Sequence, residues 1–374
     1  MKQIEMNSSV TNKKKKFFFL LFSMNVGGVE KSLLGFLSTF DRTKIDIHIG
    51  LLKKQGAFLK ALPEDVIIHQ CFKGLWDVIN LPPLTTIKSL LKKGKIIEAI
   101  VHLYCYSIFK LTGSRLSFYK YILRNESKID IVFDEAHAFA GPASMLDYYI
   151  CRKIKAKRRF SWIHFDIKKN GIDKVLTRRL FPEYNNIYIV SKAAKKIFDY
   201  EFPQFAKKTE VRYSIVLKEN IIKSAITAPT FNDDFKGIRI LTVGRLSLEK
   251  GQDIAVKALK ILVEQGFDIK WYYVGEGNML NEYKLLTEKY GLSERIVFLG
   301  MITNPYGYMR DCDIYVQPSR HEGYCITLAE ARCFKVPIVA TNFLAAKEQL
   351  ENYQKCIITG FTPQDLANGI KVLL

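Results

Sequence analysis

Long apolar runs are scarce in this sequence. Nowhere in its 374 residues is there a stretch of the roughly 18 apolar residues that a membrane-spanning helix needs, so any meeting with a membrane would be at its surface. The nearest approach is the run 17–22 behind the lysines at 13–16, which superficially resembles a signal peptide. It ends at Ser23-Met24-Asn25, and a Gly27-Gly28 turn stands where a small-residue cleavage site belongs, so it reads as a buried first strand. The cysteines at 71, 105, 151, 312, 325, 333 and 356 include no C-x-x-C pair and no recurring interval. That excludes a zinc knuckle and a disulfide framework, and points to a reducing, cytoplasmic compartment. Repeats of solenoid period are missing, as is any nucleic-acid-binding module.

Acidic charge is short in one half only. Residues 1–226 carry 40 Lys and Arg against 20 Asp and Glu, whereas residues 227–374 carry 17 against 17, so the whole net charge of +20 lies in the first part. A one-sided basic surface attracts polyanions, whether nucleic acid, anionic lipid or a phosphate-bearing substrate. The 48% hydrophobic and 25% charged residues mark a folded soluble protein, and the length calls for two domains.

After a polar, aperiodic stretch over 1–12, expected to be disordered, short apolar runs alternate with amphipathic helical ones. Strands are predicted at 17–22, 45–52, 66–69, 129–133, 160–164 and 187–190, with a helix over 29–40. This alternation predicts a parallel sheet covered by helices, a first domain over 13–226. Within it, 75–124 is a helical insertion in which bulky apolar residues interleave with Lys88, Lys92, Lys93, Lys95, Lys110, Arg115, Lys120 and Arg124. It reads either as core-packing helices with solvated lysines or as a surface for anionic lipid. A polar linker over 227–235 follows, and the alternation then restarts over 236–374, with strands at 238–243, 270–274, 296–299, 314–317 and 338–340. The fold class is α/β, with two doubly wound Rossmann-like domains facing across a cleft, the GT-B architecture.

Ligands of open parallel sheets bind beyond the carboxyl ends of the strands, so the residues just after each strand carry the chemistry. After 238–243 come Gly244 and Arg245, then Lys250-Gly251, two cations suited to a diphosphate. After 270–274 stands Gly275-Glu276-Gly277. After 314–317 runs Pro318-Ser319-Arg320-His321-Glu322-Gly323-Tyr324-Cys325, with Glu330 eight residues beyond Glu322 and about two turns into the next helix. At about 1.5 Å per helical residue the two carboxylates stand roughly 10 Å apart, with a helix N-terminus between them to receive phosphate. One carboxylate on each sugar and the diphosphate between them would make a nucleotide-sugar site.

Gly244-Arg245 with Lys250-Gly251, taken with Glu322-x7-Glu330, resembles the signature of the retaining GT-B glycosyltransferases of family 4, group 1 type, which include capsule, lipopolysaccharide and mannosyl transferases. Gly27-Gly28-Val29-Glu30 and Ser191 at the start of a helix resemble the same family's first-domain loops. The resemblance implies a retaining, metal-independent hexosyl transfer from a nucleotide-diphosphate sugar, UDP-linked by preference and GDP-linked as an alternative. The acceptor would be a membrane-associated, lipid-linked glycan in cell-surface polysaccharide synthesis, and the enzyme would be peripheral at the inner face of the plasma membrane. No resident cofactor is implied.

By that resemblance Arg245 and Lys250 bind the diphosphate and stabilise the departing nucleotide. Glu330 holds the ribose, Glu322 meets the hexose, and backbone N–H groups of Gly323, Tyr324 and Cys325 complete the cradle, with Gly27, Gly28, Gly244 and Gly275 beside it. His164, ending the strand 160–164, faces the transferred sugar, with His137 after 129–133 as its rival. The nearest Asp-x-Asp, Asp311-Cys312-Asp313, precedes its strand and does not suit a metal. The family's Gly-Gly before its last-loop glutamate is here Leu344-Ala345-Ala346-Lys347-Glu348, and the chain ends at Leu374, where many relatives carry a further helix, which leaves truncation there as an open alternative. A phosphorylase or epimerase on the same scaffold, or a catalytically inactive membrane-surface subunit, are the alternatives. Singly, each of these residues is as well read as a tight turn, a solvated face or a packed histidine.

Overall fold

The computed structural model describes residues 13–72, 82–141 and 143–374. The stretch 1–12 and the opening of the predicted insertion at 75–81 lie outside the described residues. Among the described residues thirteen strands run β1 Lys15–Leu21, β2 Ile45–Leu51, β3 Ile67–Gln70, β4 Ile129–Ala138, β5 Ile154–Ile163, β6 Asn186–Ile189, β7 Thr209–Val211, β8 Ile238–Val243, β9 Ile269–Val274, β10 Ile296–Phe298, β11 Ile314–Gln317, β12 Ile338–Thr341 and β13 Cys356–Thr359. The described helices are α1 Gly28–Leu37, α2 Pro83–Lys92, α3 Ile96–Thr112, α4 Leu116–Ile122, α5 Met145–Lys153, α6 Ile167–Asn170, α7 Lys174–Leu180, α8 Lys192–Glu201, α9 Lys218–Ile226, α10 Gln252–Glu264, α11 Leu280–Lys289, α12 Tyr306–Asp311, α13 Ile326–Ala331, α14 Ala346–Leu350 and α15 Pro363–Lys371.

The strands form a seven-stranded sheet in the order β3-β2-β1-β4-β5-β6-β7 and a six-stranded sheet in the order β10-β9-β8-β11-β12-β13. Pairing is parallel between β1 and both β2 and β4, and between β8 and both β9 and β11. In each sheet the winding reverses beside its first strand, β1 or β8, the arrangement of a doubly wound Rossmann-like fold. β1 is buried from Phe17 onward, as a central strand covered on both faces must be, which is why it reads as an unbroken apolar run.

By compactness the chain divides into two units: one holds the residues up to Met24, Leu37–Ser161 and Asp173–Asn186, the other Asn25–Phe36, Trp162–Ile172 and Ile187–Leu374. In the first unit, Phe18 meets Phe133 at 4.9 Å between ring centroids in a core of fully buried aromatics. The second unit has apolar layers on both faces of the six-stranded sheet. Trp271, Leu259 and Ile370 lie in one, and Leu241, Tyr315 and Leu328 in the other.

Two expectations need correcting. β4 does not stop at 133 but continues to Ala138, so His137 lies inside the strand, 2% exposed, and not in a loop after it. Its ring is stacked between Phe19 and Phe160 at 4.5 and 4.6 Å, and burial holds its pKa below the usual histidine range. It is a core residue. β5 begins six residues earlier than expected, at Ile154, because its polar half is fixed by charges on β4: Lys155 pairs with Asp130, Lys157 with Asp134 and Arg158 with Glu135.

Candidate active site

Within the second unit the loops that leave β8, β9 and β11 meet at the point where the sheet order reverses, and glycines let their backbones touch. A Cβ on Gly275 would lie 2.0 Å from the Gly244 carbonyl oxygen, and one on Gly277 would lie 2.0 Å from that of Leu246. Gly251 has φ +70 and faces the Pro318 carbonyl at 2.0 Å from its would-be Cβ, so both its conformation and its surroundings demand glycine. Arg320 then ties the β11 loop to the β8 loop. Its guanidinium donates to both Asp253 oxygens at 2.7 and 2.6 Å and to the Leu248 carbonyl at 2.7 Å.

This framework sets Lys250 against Glu322, with Nζ donating to Oε1 at 2.7 Å. The same oxygen accepts from Ser319 Oγ at 2.8 Å, Ser319 Oγ accepts from Gln317 Nε2 at 2.8 Å, and Tyr315 donates to Gln317 Oε1 at 2.8 Å. Glu322 is thus oriented by a buried polar chain that starts on β11. Burial pushes the Lys250 ammonium down, but the Glu322 carboxylate outweighs it, and the pKa is raised above the usual lysine value. Arg245 is exposed, and among the described residues its guanidinium has no ion-pair partner. One fixed and one available cation therefore stand at the exit of β8.

The next three residues form the loop before α13. A Cβ on Gly323 would meet the His164 carbonyl oxygen at 2.0 Å and Phe165 Cα at 2.7 Å, which puts the loop directly on the main chain that follows β5. His164 is half-buried there, with its ring stacked on Trp162 at 5.8 Å. Gln349 Nε2 donates to the carbonyls of Tyr324 and Cys325. Because the peptide unit is planar and trans, the N–H groups of Cys325 and Ile326 turn the opposite way. Cys325 holds a left-handed conformation, φ 72 and ψ 81, uncommon for a residue with a side chain.

Glu330 is the fifth residue of the six-residue α13, nearer the loop than the two helical turns expected from sequence. It is 3% exposed and already engaged. Lys31 Nζ donates to its two oxygens at 2.7 and 2.9 Å, and Tyr306 OH donates to Oε1 at 2.8 Å. Lys31 comes from α1, whose first turn lies beside α13, since a Cβ on Gly28 would stand 3.8 Å from Ile326 Cδ1. Gly27 leaves room for the Glu30 carboxylate, which would be 2.4 Å from a Cβ there. Burial raises the Glu30 pKa, partly offset by its own backbone N–H and by the Arg245 charge.

Glu348 sits at the start of α8. Its carboxylate accepts from the Lys192 N–H at 3.0 Å, from the Ala193 N–H at 3.4 Å and from Tyr213 OH at 2.6 Å, while Ser191 caps the same helix through the Ala194 N–H. The Asp-x-Asp pair is committed elsewhere: Asp311 binds Arg310 and Thr230, and Asp313 accepts the Arg239 N–H.

Of the residues expected from sequence, Gly244, Arg245, Lys250, Gly275, Glu322, Gly323, Tyr324, Cys325 and His164 fall into one neighbourhood. Glu330 joins it through α13, and Gly27 and Gly28 through α1. Sequence reasoning gave no role to Lys31, Tyr306, Arg320 or Gln349, because nothing local to any of them announces its partner.

Residues 230–374 match the family of glycosyl transferases group 1. A Campylobacter jejuni relative, an N-acetylgalactosamine-N,N'-diacetylbacillosaminyl-diphospho-undecaprenol 4-alpha-N-acetylgalactosaminyltransferase, is 29% identical over 48% of this chain and 47% of its own length. The capsular polysaccharide biosynthesis glycosyltransferase CapM of Staphylococcus aureus is 24% identical over 50% of this chain and 44% of its own. The chain thus spans about half the length of these curated relatives. Among solved structures, Anabaena HepE in complex with UDP-glucose superposes with a TM-score of 0.66 at 17% identity, covering 96% of this chain and 89% of that one, a likeness of fold. Residues 230–374 are thus similar to the group 1 glycosyl transferases, and the chain as a whole has the GT-B fold.

Proposed function

We propose that the protein is a retaining, metal-independent glycosyltransferase that moves a hexose or N-acetylhexosamine from a UDP-sugar, or alternatively a GDP-sugar, to a lipid-linked glycan in cell-surface polysaccharide synthesis. The observation that carries this reading is the Lys250–Glu322 pair at the exit of β8 and β11, held at 2.7 Å beside the exposed Arg245. Lys250 and Arg245 receive the diphosphate and neutralise the departing nucleotide, standing in for a metal, the step that fixed charge helps most. Glu322 takes the hexose hydroxyls, Glu330 the ribose, and the N–H groups of residues 323–325 the phosphate oxygens. His164, whose carbonyl touches Gly323, faces the transferred sugar. No cofactor beyond the donor takes part.

Support for the donor comes from the UDP-glucose bound to HepE, and for the acceptor from the undecaprenyl diphosphate in the name of the Campylobacter relative. Support for a peripheral place at the inner membrane face comes from α3. Ile97, Ile100, Tyr104 and Leu111, on one face, are 74%, 61%, 63% and 86% exposed, and Lys110 of the same helix and Lys92 and Lys93 at the end of α2 are exposed too. A helix that turns apolar residues and lysines outward together fits an anionic lipid surface.

The test is thermal unfolding with UDP, GDP and ADP and their sugars, in chelator, followed by transfer from the stabilising donor to a lipid-linked acceptor in anionic vesicles. Stabilisation by one nucleotide without metal and transfer with retained anomeric configuration are expected. Strong vesicle binding with no nucleotide bound would instead identify an inactive membrane-surface subunit.

A further inference from the structure

Glu330 is an acceptor with most of its capacity spent. A carboxylate offers about four lone-pair positions. Lys31 Nζ occupies one on each oxygen, at 2.7 and 2.9 Å, and Tyr306 OH occupies a second on Oε1 at 2.8 Å. The Lys31 ammonium also lies 5.3 Å from the centre of the Tyr306 ring, so the cation is held by two neighbours at once. Neither end of the pair is loose, for the side chains are 16% and 3% exposed.

The helix that carries Lys31 is itself pinned. At its start Gly28 faces Ile326, and one turn beyond Lys31 a Cβ on Gly35 would lie 2.3 Å from the Ile215 carbonyl oxygen. Lys31 therefore reaches Glu330 from a fixed origin, and the carboxylate it holds has a fixed plane.

We infer that Lys31 is a positioning residue for donor binding: it orients Glu330 so that a single acceptor position, on Oε2, remains for one hydroxyl of the nucleotide's ribose. This rests on the reading of Glu330 as the ribose carboxylate. The consequence is an asymmetry between the two ribose hydroxyls. A carboxylate free on both oxygens would accept from the 2′- and 3′-hydroxyls together, whereas the partly spent Glu330 accepts from one and leaves the other to solvent or to other groups.

The experiment is calorimetric titration of the full chain with UDP and GDP and with the 2′-deoxy and 3′-deoxy forms of each, on the native sequence, Lys31→Met and Lys31→Arg. In the native protein one deoxy form should bind about tenfold or more weakly than the parent nucleotide and the other within about threefold. In Lys31→Met, nucleotide affinity should fall about tenfold and the two deoxy forms should become indistinguishable. Lys31→Arg, which keeps a charged donor on both oxygens, should restore the discrimination, a result that a merely structural role for Lys31 would not produce. Equal losses for both deoxy forms in the native protein, or unchanged discrimination in Lys31→Met, would overturn the inference while leaving the donor site standing. No binding of UDP or GDP to the native protein would overturn the donor site itself.

Discussion

Gly323 and His164 touch through their main chains: a Cβ on Gly323 would stand 2.0 Å from the His164 carbonyl oxygen. Since that neighbour is backbone, no rotamer change relieves the contact, and Gly323→Ala has to move the loop that carries Glu322. The expected outcome is a loss of about 1–3 kcal/mol of stability with a fall of at least about tenfold in nucleotide affinity, measured by thermal unfolding and titration. A variant that binds nucleotide like the native protein would remove this loop from the site.

Lys250 and Arg245 should separate when each is replaced by alanine. Lys250→Ala leaves the Glu322 carboxylate, 9% exposed, without its cation, and so costs both stability and turnover, the latter by about a hundredfold or more. Arg245→Ala breaks no ion pair among the described residues, so stability should stay within about 0.5 kcal/mol while affinity for the nucleotide diphosphate falls. Unfolding midpoints and donor titrations of the two variants check the contrast; equal loss of stability in both would refute it.

Glu348→Ala should cost about 1–2 kcal/mol, the value of an N-terminal cap and its favourable charge, because α8 loses the acceptor for the Lys192 and Ala193 N–H groups. Tyr213 carries a second readout. Burial and the Glu348 carboxylate hold its pKa above the usual tyrosine value, so the variant should show a tyrosine titrating at lower pH in an ultraviolet titration. Glu348→Gln, which keeps an acceptor but no charge, should recover part of the stability.

His48 and His69 face each other on β2 and β3 with ring nitrogens 2.9 Å apart. Burial, then the neighbouring His69 and Lys16, push His48 down to about 4, against a raising effect of Asp46. A histidine depressed in the folded state contributes stability that is present above its unfolded value and lost as pH falls through the folded one. Between about pH 6.5 and 4, therefore, the native protein should lose stability more steeply than His48→Gln. The carboxyl of Asp147, raised to about 6 by burial, acts in the opposite direction: its contribution is present at low pH and lost as pH rises, equally in both proteins. Parallel melting curves across this window would show that His48 is not the titrating group.

Strands β8 to β12 of the second sheet were legible because each is a short apolar run closed by a polar turn, and β8 and β11 fall at the residues their runs predict. Its edge strand β13, only partly buried over most of its length, gave no such signal, and neither did the half-buried β7. The polar start of β5 was invisible as hydrophobicity, although the charges facing it on β4 would have served as a cue. In the site, the cations and carboxylates could be found from strand ends, but not which of them meet. The loop exits set Lys250 opposite Glu322. Nothing local to Lys31 or Tyr306 points to Glu330, and His137 was misplaced because a histidine between aromatic neighbours extends a strand as readily as it ends one.

The Lys31–Glu330 contact joins residues 299 positions apart. On a ribosome adding about 5–20 residues per second, Lys31 would emerge some 15–60 s before its partner is made. For more than half of that interval α1 lacks the Ile215 carbonyl that packs on Gly35, and for nearly all of it the Ile326 side chain beside Gly28. The helix that begins the compact unit would therefore be among the last of its parts to dock, so closing the Lys31–Glu330 pair would be a late event in the life of the nascent chain.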